Sequence, residues 1–278
     1  MLSTKPNIEL LQAEIDEDDQ SFFRLRVGKT IKYLTIEPGL YSTEDMCFGP
    51  SLLSILPAFP PGDWNDGLIA RNPETGQPFF ARAMNTKLPS VMNTWHNVSI
   101  DYADIEVGEK LRTGVYEVTV ASPLFETVVV AKFARFSWEI AYLDNETRAY
   151  QWIDGHDIAP RFLGHLTEDN GDDKRVIGFL MERVTGARHA GARPGDAAAC
   201  QTALGRLHRL GIRHGDVNRF NFLVQGGRAV LIDFDTARKC DHADELRRES
   251  EMLEAALLDA SGRGGGGILC RAGTGGAE

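Results

Sequence analysis

Residues 212–224 read IRHGDVNRFNFLV, and residues 230–235 read VLIDFD. The first stretch gathers His214, Asp216, Asn218 and Asn221 on one short connection, and the second ends an apolar run on Asp233 and Asp235. Polar side chains in such a place serve either as loop decoration between two strands or as oxygen ligands around a metal and phosphates. The surrounding chain has to decide between these readings.

The composition narrows the choice. The chain has 278 residues, 42% hydrophobic and 25% charged, as expected of an ordinary globular protein with one large or two modest domains. Its formal net charge of −10 argues against nucleic acid as the principal partner, because phosphate-backbone binding needs a basic surface. Part of the acidic excess lies in EIDEDD, Glu14–Asp19, which reads as a solvated loop. Cys47, Cys200, Cys240 and Cys270 are widely spaced and read as reduced thiols, with no zinc-like Cys/His spacing. There is no basic-then-apolar leader and no run of ~18 apolar residues. The expectation is a cytoplasmic or nuclear protein, neither secreted nor membrane-bound, and the sequons at Asn97 and Asn145 are then chance.

Nine of the twelve prolines precede residue 105, between turn signals such as PPGDWNDG and NPETGQP. Residues 1–104 are therefore expected to form a Pro-rich, loop/β-rich extension. YEVTVAS and TVVVAKFARF read as an antiparallel strand pair. Trp138–Ile153 spaces Ile140, Leu143, Ala149 and Tyr150 as an amphipathic helix. IAPRFLGHL and RVIGFLMERV read as two further strands. GDAAACQTALGRLHRLG reads as a helix stopped by Gly211, followed by the polar loop, the strand AVLIDF and a last helix, DELRRESEMLEAALLD. Residues 261–278 are Gly-rich and are expected to be a disordered tail.

Phosphoryl transfer asks little covalent chemistry of a protein. It needs a base for the attacking hydroxyl and oxygen ligands for Mg²⁺ at the nucleotide phosphates. HGDVNRFN supplies a carboxylate and an amide at the spacing H-x-D-x-x-x-x-N, and IDFD supplies a second carboxylate. Here the chain resembles the protein-kinase-like superfamily. The resemblance implies an α+β, bilobal protein-kinase-like fold with a shortened helical C-lobe. It would comprise an N-lobe over 105–181, a hinge over 182–186 and a C-lobe over 187–260. It also implies Asp216 as catalytic base, Asn221 and Asp233 as metal ligands, and Lys132 of VVVAKFA as the phosphate anchor. Glu146 would pair with Lys132, Glu139 being the weaker candidate. Met181, Glu182 and Val184 of FLMERVTG would face adenine, and Gly114 would cover the phosphates. The implied cofactors are ATP and Mg²⁺.

The stretches WEIAYLDNETRAYQWIDGHDIAPRFLGHL, LHRLGIRHGDVNRFNFLV and LIDFDTA are similar to an uncharacterised family of atypical kinase-like proteins of filamentous fungi, some labelled α-galactosidase. No carboxylate pair here supports a glycosidase. The chain departs from ordinary kinases in four ways. EKLRTGVYEV holds one glycine, Gly114, where G-x-G-x-x-G is usual. The loop reads H-G-D instead of H-R-D, as in small-molecule kinases of the aminoglycoside-phosphotransferase type. Asp235 replaces the glycine of D-F-G. Finally, 45 residues follow Asp233, too few for a peptide-docking helical platform. Position 218 is Asn where many kinases carry a lysine, and Arg219 either substitutes for it or forms a surface salt bridge.

Bland readings stand beside these. Lys132 could be an edge-strand lysine and Glu146 a solvated helix residue. His214 is expected to brace the loop and His208 to be buried and hydrogen-bonded; His189, after the hinge, could face the cleft, and no expectation is placed on it. Trp64, Trp95, Trp138 and Trp152 read as core or packing residues. The leading expectation is a phosphotransferase acting on an unknown acceptor, either a protein or a small molecule. The alternatives are a pseudokinase or nucleotide-binding scaffold, and an interaction protein working through its N-terminal hundred residues.

Overall fold

The computed structural model describes residues 7–125, 127–169 and 174–262, so the tail expected over 261–278 lies outside them beyond Gly262. The fold is mixed α+β with several sheets, and it divides into two compact units.

The first unit holds the residues up to Ser90 with Arg135–Glu139 and Thr167–Arg175. Its five-stranded sheet runs β1 (Ile8–Glu14), β2 (Ser21–Val27), β3 (Thr30–Ile36), β4 (Asp66–Arg71) and β5 (Pro78–Met84) in that order. The β3–β4 pair is parallel, and its long crossover carries the short helices α1 (Thr43–Cys47) and α2 (Gly49–Ile55). Its described prolines fall in loops and turns, in the first turn of α2 (Pro50) or at a strand's first residue (Pro78), where the missing N–H costs no ladder bond. Phe23, Leu25, Leu34, Ile36 and Ile69 form the core. Beside it the Glu168 carboxylate is clamped by Arg24, Arg175 and the Tyr33 hydroxyl, all buried. Trp138 packs on Phe22 and Phe136 and is 46% exposed, so it is a packing residue and not a core one.

The second unit holds Val91–Ala134, Ile140–Leu166 and the chain from Val176 onward. It contains β6 (Ser99–Asp101), β7 (Ile105–Arg112), β8 (Val115–Val120), β9 (Val129–Phe133), α3 (Ile140–Ile153) and the larger parts of β10 (Phe162–Asp169) and β11 (Lys174–Met181). These strands form one sheet in the order β6-β10-β11-β9-β8-β7. The chain continues through β12 (Arg188–His189), α4 (Asp196–Arg209), β13 (Ile212–Arg213), β14 (Phe222–Gln225), β15 (Arg228–Leu231), β16 (Arg238–Lys239) and α5 (Ala243–Leu258). No described helix is long and apolar enough to cross a membrane.

Each helix follows from its apolar stripe. In α3 the buried positions are Ile140, Leu143, Glu146, Thr147, Ala149, Tyr150 and Ile153, the three-and-four spacing of a single helix face. The α4 helix buries Ala199, Cys200, Ala203, Leu204 and Leu207. Its basic last turn suits the helix dipole, and Gly211 stops it at φ +63°. The α5 helix buries Glu249, Leu253 and Leu257 at intervals of four. A single apolar core runs from Val115 and Phe179 in the sheet to Leu253 and Leu257 in α5.

Candidate functional site

Strand β9 lies between β11 and β8, so Lys132 sits on an interior strand and not at a sheet edge. Its position is tightly fixed from the β11 side. Gly178 is paired with Phe133, and a β-carbon there would come 2.1 Å from the Lys132 carbonyl oxygen. Only glycine allows the two strands to approach so closely.

The Lys132 Nζ lies 2.5 Å from Glu146 Oε2 and 2.5 Å from Asp233 Oδ1. Glu146 is 1% exposed, in line with Leu143 and Tyr150 on the buried face of α3, so it is not a solvated helix residue. Glu139 instead pairs with Arg135 at 2.5 Å within the first unit. Burial works against the Lys132 ammonium, but Glu146 and then Asp233 outweigh it and raise the pKa above its ordinary value. Burial pushes the Glu146 carboxyl up, and Lys132 opposes that rise. Asp233 is also desolvated, yet Lys132 and Arg112 hold it well below the usual carboxylate range.

Asp233 adopts φ +68°, a left-handed conformation uncommon for a side-chain-bearing residue. Its neighbours hold it there. Phe234 is fully buried against the rings of Tyr150 and His214. The Phe234 N–H donates to Glu146 Oε1 at 3.3 Å. Asn145 Nδ2 donates to the carbonyls of Asp235 (2.8 Å) and Ala237 (2.9 Å). Adjacent residues of α3 thus grip both sides of the turn after Asp233. The sequon Asn145 is engaged within the protein. Asp235 is half-buried and keeps a negative φ, so the glycine of D-F-G is not needed here for backbone reasons. Burial first, and then Asp233, raise the Asp235 carboxyl above its ordinary value.

The polar loop has its own scaffold. The Asp216 carboxylate accepts from Asn218 Nδ2 and Asn221 Nδ2, both at 3.0 Å. His214 is buried, and burial chiefly lowers its pKa. Its Nε2 bonds the Ile232 carbonyl at 3.1 Å, and the Ile232 N–H donates to the Asn221 carbonyl at 3.0 Å. The loop is thereby stitched to the residue before Asp233. From α5, Glu249 accepts from the N–H groups of His214 (3.0 Å) and Gly215 (2.7 Å). Glu249 also bonds His208 Nε2 at 2.8 Å, which makes His208 the near-buried, bonded residue its sequence context suggests.

Gly215 sits at φ +90°, and a β-carbon there would lie 2.8 Å from the Thr236 carbonyl. An H-R-D arginine is therefore sterically excluded, independently of any argument about switching. Arg219 lies over the Phe220 ring at 4.6 Å.

A cleft of about 290 Å³ is lined by Met181, Glu182, Val184, Arg112 and His189 among others. Met181 is anchored by the Tyr150 hydroxyl at 3.3 Å, and the Glu182 N–H donates to the Arg161 carbonyl at 2.9 Å. Gly114 does not line this cleft. It occupies a two-residue turn between β7 and β8, where Arg112 pairs with Val115. A β-carbon there would approach the Phe133 carbonyl to 3.0 Å. A second cleft, of about 670 Å³, opens beside Asp216 and Asn218 and is bounded by Arg213, Arg248 and Met252.

The donor set suits a hard divalent cation sharing its shell with phosphates and water. Asn221 Oδ1 is buried without a hydrogen-bond partner, and Asp233 is ionised. Among the described residues no cluster of three His, Cys, Asp or Glu could hold a metal ion by itself. Two oxygen side chains are what Mg²⁺ commonly takes from a protein when phosphates supply the rest.

Arg112, Asn145 and Glu249 are missed by sequence reasoning. The signal for Glu249 is a carboxylate at i−4 from Leu253 and i−8 from Leu257, on an otherwise apolar face. Arg112 and Asn145 carry no comparable local signal.

One comparison with known proteins falls on the same region. Residues 195–254 match the lipopolysaccharide kinase (Kdo/WaaP) family. The chain is also similar to two curated relatives, each described as a probable bifunctional tRNA threonylcarbamoyladenosine biosynthesis protein. That of Methanothermobacter thermautotrophicus is 35% identical over 82 residues, 28% of this chain and 15% of the relative. That of Methanoculleus marisnigri is 36% identical over 72 residues, 26% of this chain and 12% of the relative. The chain thus spans less than a sixth of the length of either relative. The segment matched to the kinase family contains Asp216, Asn221, Asp233 and Glu249.

Proposed function

We propose that the chain is an ATP- and Mg²⁺-dependent phosphotransferase of the atypical kinase-like type, with Asp216 as the base, working within a bilobal kinase-like arrangement of residues 105–260. The observation that carries this reading is the ion-paired trio Lys132–Glu146–Asp233, next to a loop that orients Asp216 through Asn221. Burying cations and carboxylates carries a desolvation cost that pairing offsets only with good geometry, and this trio matches what phosphoryl transfer requires.

In this reading Glu146 holds Lys132 against the nucleotide phosphates, and Met181, Glu182 and Val184 line the adenine end of the smaller cleft. Asn221 and Asp233 would hold Mg²⁺, which when bound neutralises charge on the phosphates. Asp216 orients the acceptor hydroxyl and takes its proton as the acceptor oxygen bonds to the terminal phosphorus and ADP leaves. The larger cleft beside Asp216 is our candidate for the acceptor, whether a small molecule or a protein segment. An intracellular location and the resemblance to the fungal kinase-like family belong to the same proposal.

The two-residue β7–β8 turn favours a second reading, a nucleotide-binding scaffold without turnover, because it offers few backbone N–H groups to the phosphates. Transfer of labelled phosphate from ATP to water, to the protein itself and to a panel of acceptors separates the two. The phosphotransferase reading expects turnover in the wild type that falls at least a hundredfold in Asp216→Asn and Lys132→Met. Binding of ATP with no turnover above the Asp216→Asn background would favour the scaffold.

A further inference from the structure

The β7–β8 turn raises the question of what would hold the phosphates in place of a glycine-rich loop. Such a loop works by wrapping consecutive backbone N–H groups around the anion. A turn consisting of Thr113 and Gly114 alone, closed by the Arg112–Val115 pair, cannot wrap in this way. The β7 strand is irregular just before the turn, with register shifts between Val107 and Lys110 and again between Lys110 and Arg112. Such irregularities re-aim side chains. The Arg112 side chain lines the same cleft as Met181, Glu182 and Val184, and its Nη1 lies 3.0 Å from Asp233 Oδ2.

We infer that Arg112 is the phosphate-contacting residue that replaces the glycine-rich loop, and that it exchanges Asp233 for the nucleotide's phosphate oxygens when a divalent cation occupies the Asp233 carboxylate. The inference rests on the nucleotide-site reading above. The chemistry follows from the pairing at Asp233. Lys132 occupies Oδ1 and Arg112 occupies Oδ2, so a metal arriving at this carboxylate meets a guanidinium already seated there. Metal and guanidinium repel each other, and the phosphates that accompany the metal are the nearest anions able to take the guanidinium over. A guanidinium presents a planar fork of donors suited to bidentate phosphate binding. At 15% side-chain exposure it is shielded enough for that contact to matter and open enough to swing. Because Arg112 sits at the end of a strand, its reach is set by side-chain torsions without refolding the turn.

The role assigned to Arg112 distinguishes it from a plain structural ion pair. A structural partner of Asp233 would compete with the metal, and its removal would tighten Mg·ATP binding. A phosphate ligand contributes only when phosphates are present, and its removal weakens Mg·ATP while leaving adenosine unchanged.

The test is calorimetric titration of the full chain with Mg·ATP and, separately, with adenosine, for the wild type, Arg112→Ala and Arg112→Lys, each checked for a wild-type thermal melt. We expect Arg112→Ala to weaken Mg·ATP about tenfold to a hundredfold, the range for loss of a charged hydrogen bond, with adenosine affinity changed by less than about twofold. Arg112→Lys, which keeps the charge but loses the fork, should fall between. Equal or tighter Mg·ATP binding by Arg112→Ala would overturn the inference, as would a matching loss of adenosine binding in both variants. A wild type that binds adenosine but not Mg·ATP would overturn it as well. A wild type that binds neither would instead bring down the nucleotide site itself.

Discussion

Gly215 packs against Thr236 so closely that a β-carbon on the glycine would lie 2.8 Å from the Thr236 carbonyl oxygen and 3.0 Å from its Oγ1. The Thr236 hydroxyl in turn donates to the His214 carbonyl at 3.0 Å. The Asp216 loop and the turn after Asp233 are therefore registered to each other through a glycine at φ +90°. Gly215→Ala should cost about 1–3 kcal/mol from the unfavourable backbone conformation and the contact with Thr236, read from urea unfolding midpoints. Pairing it with Thr236→Ala, which removes the Oγ1 contact, should recover little, because the closest contact is with the Thr236 backbone. Substantial recovery would show that the side chain, not the chain path, sets the fit.

Glu249 should be the most sensitive residue on α5. Its carboxylate satisfies two N–H groups of the polar loop, and buried donors left unpaired cost about 1–3 kcal/mol. Glu249→Ala is expected to lose about 3 kcal/mol of stability, and Glu249→Gln, which retains an acceptor, appreciably less. Urea denaturation of both variants measures this. Equal losses would mean that the loop needs both carboxylate oxygens as acceptors and that one does not suffice.

The Lys132–Glu146 pair is buried, so removing one partner strands the other. Breaking such a pair costs about 3–5 kcal/mol, whereas replacing both partners with apolar residues is often much milder. Lys132→Met and Glu146→Leu should each destabilise strongly, and the double variant should be more stable than the simple sum predicts. A double-mutant cycle in urea tests this. Strict additivity would mean that the ion pair carries no coupling.

His165 gives a pH signature away from the candidate site. It is fully buried, its Nε2 accepts the His96 N–H at 3.2 Å, and its Nδ1 has no hydrogen-bond partner. Burial, and then His96, lower its pKa from 6.5 to about 4. The unfolded chain therefore binds more protons than the folded chain between those values, and stability rises with pH across the window. Going from pH 7.5 to pH 5 should cost about 1–2 kcal/mol through this one group. In His165→Gln that part of the slope should vanish, as chemical unfolding at several pH values will reveal. An unchanged slope would assign it to other groups.

What the sequence reveals follows from how far apart the cooperating residues lie. Asp216 and Asn221 share one short loop, and Asp233 ends the next long apolar run, so local spacing exposes them. Glu146 was harder to read, though its place between Leu143 and Tyr150 on the buried α3 face is visible once the helix period is laid out. Arg112 is 121 residues from Asp233, Glu249 is 34 from Gly215, and Asn145 is 90 from Asp235. Only the fold brings these pairs together; Glu249 is marked locally by its place on the apolar face of α5, and no local pattern marks Arg112 or Asn145. The five-stranded sheet of the first unit is obscured because its prolines and turn signals look like loop. The described prolines lie in loops and turns, in the first turn of α2 or at the start of β5, and the parallel β3–β4 pairing spans a long crossover.

The most direct test of the account is calorimetric Mg·ATP binding by the wild type and Asp233→Asn. Asn is among the residues best suited to the positive φ at this position, so the variant removes charge while preserving the chain path. The account predicts metal-dependent ATP binding in the wild type and at least tenfold weaker binding in Asp233→Asn. Absence of Mg·ATP binding in the wild type, or equal affinity in both proteins, would contradict it.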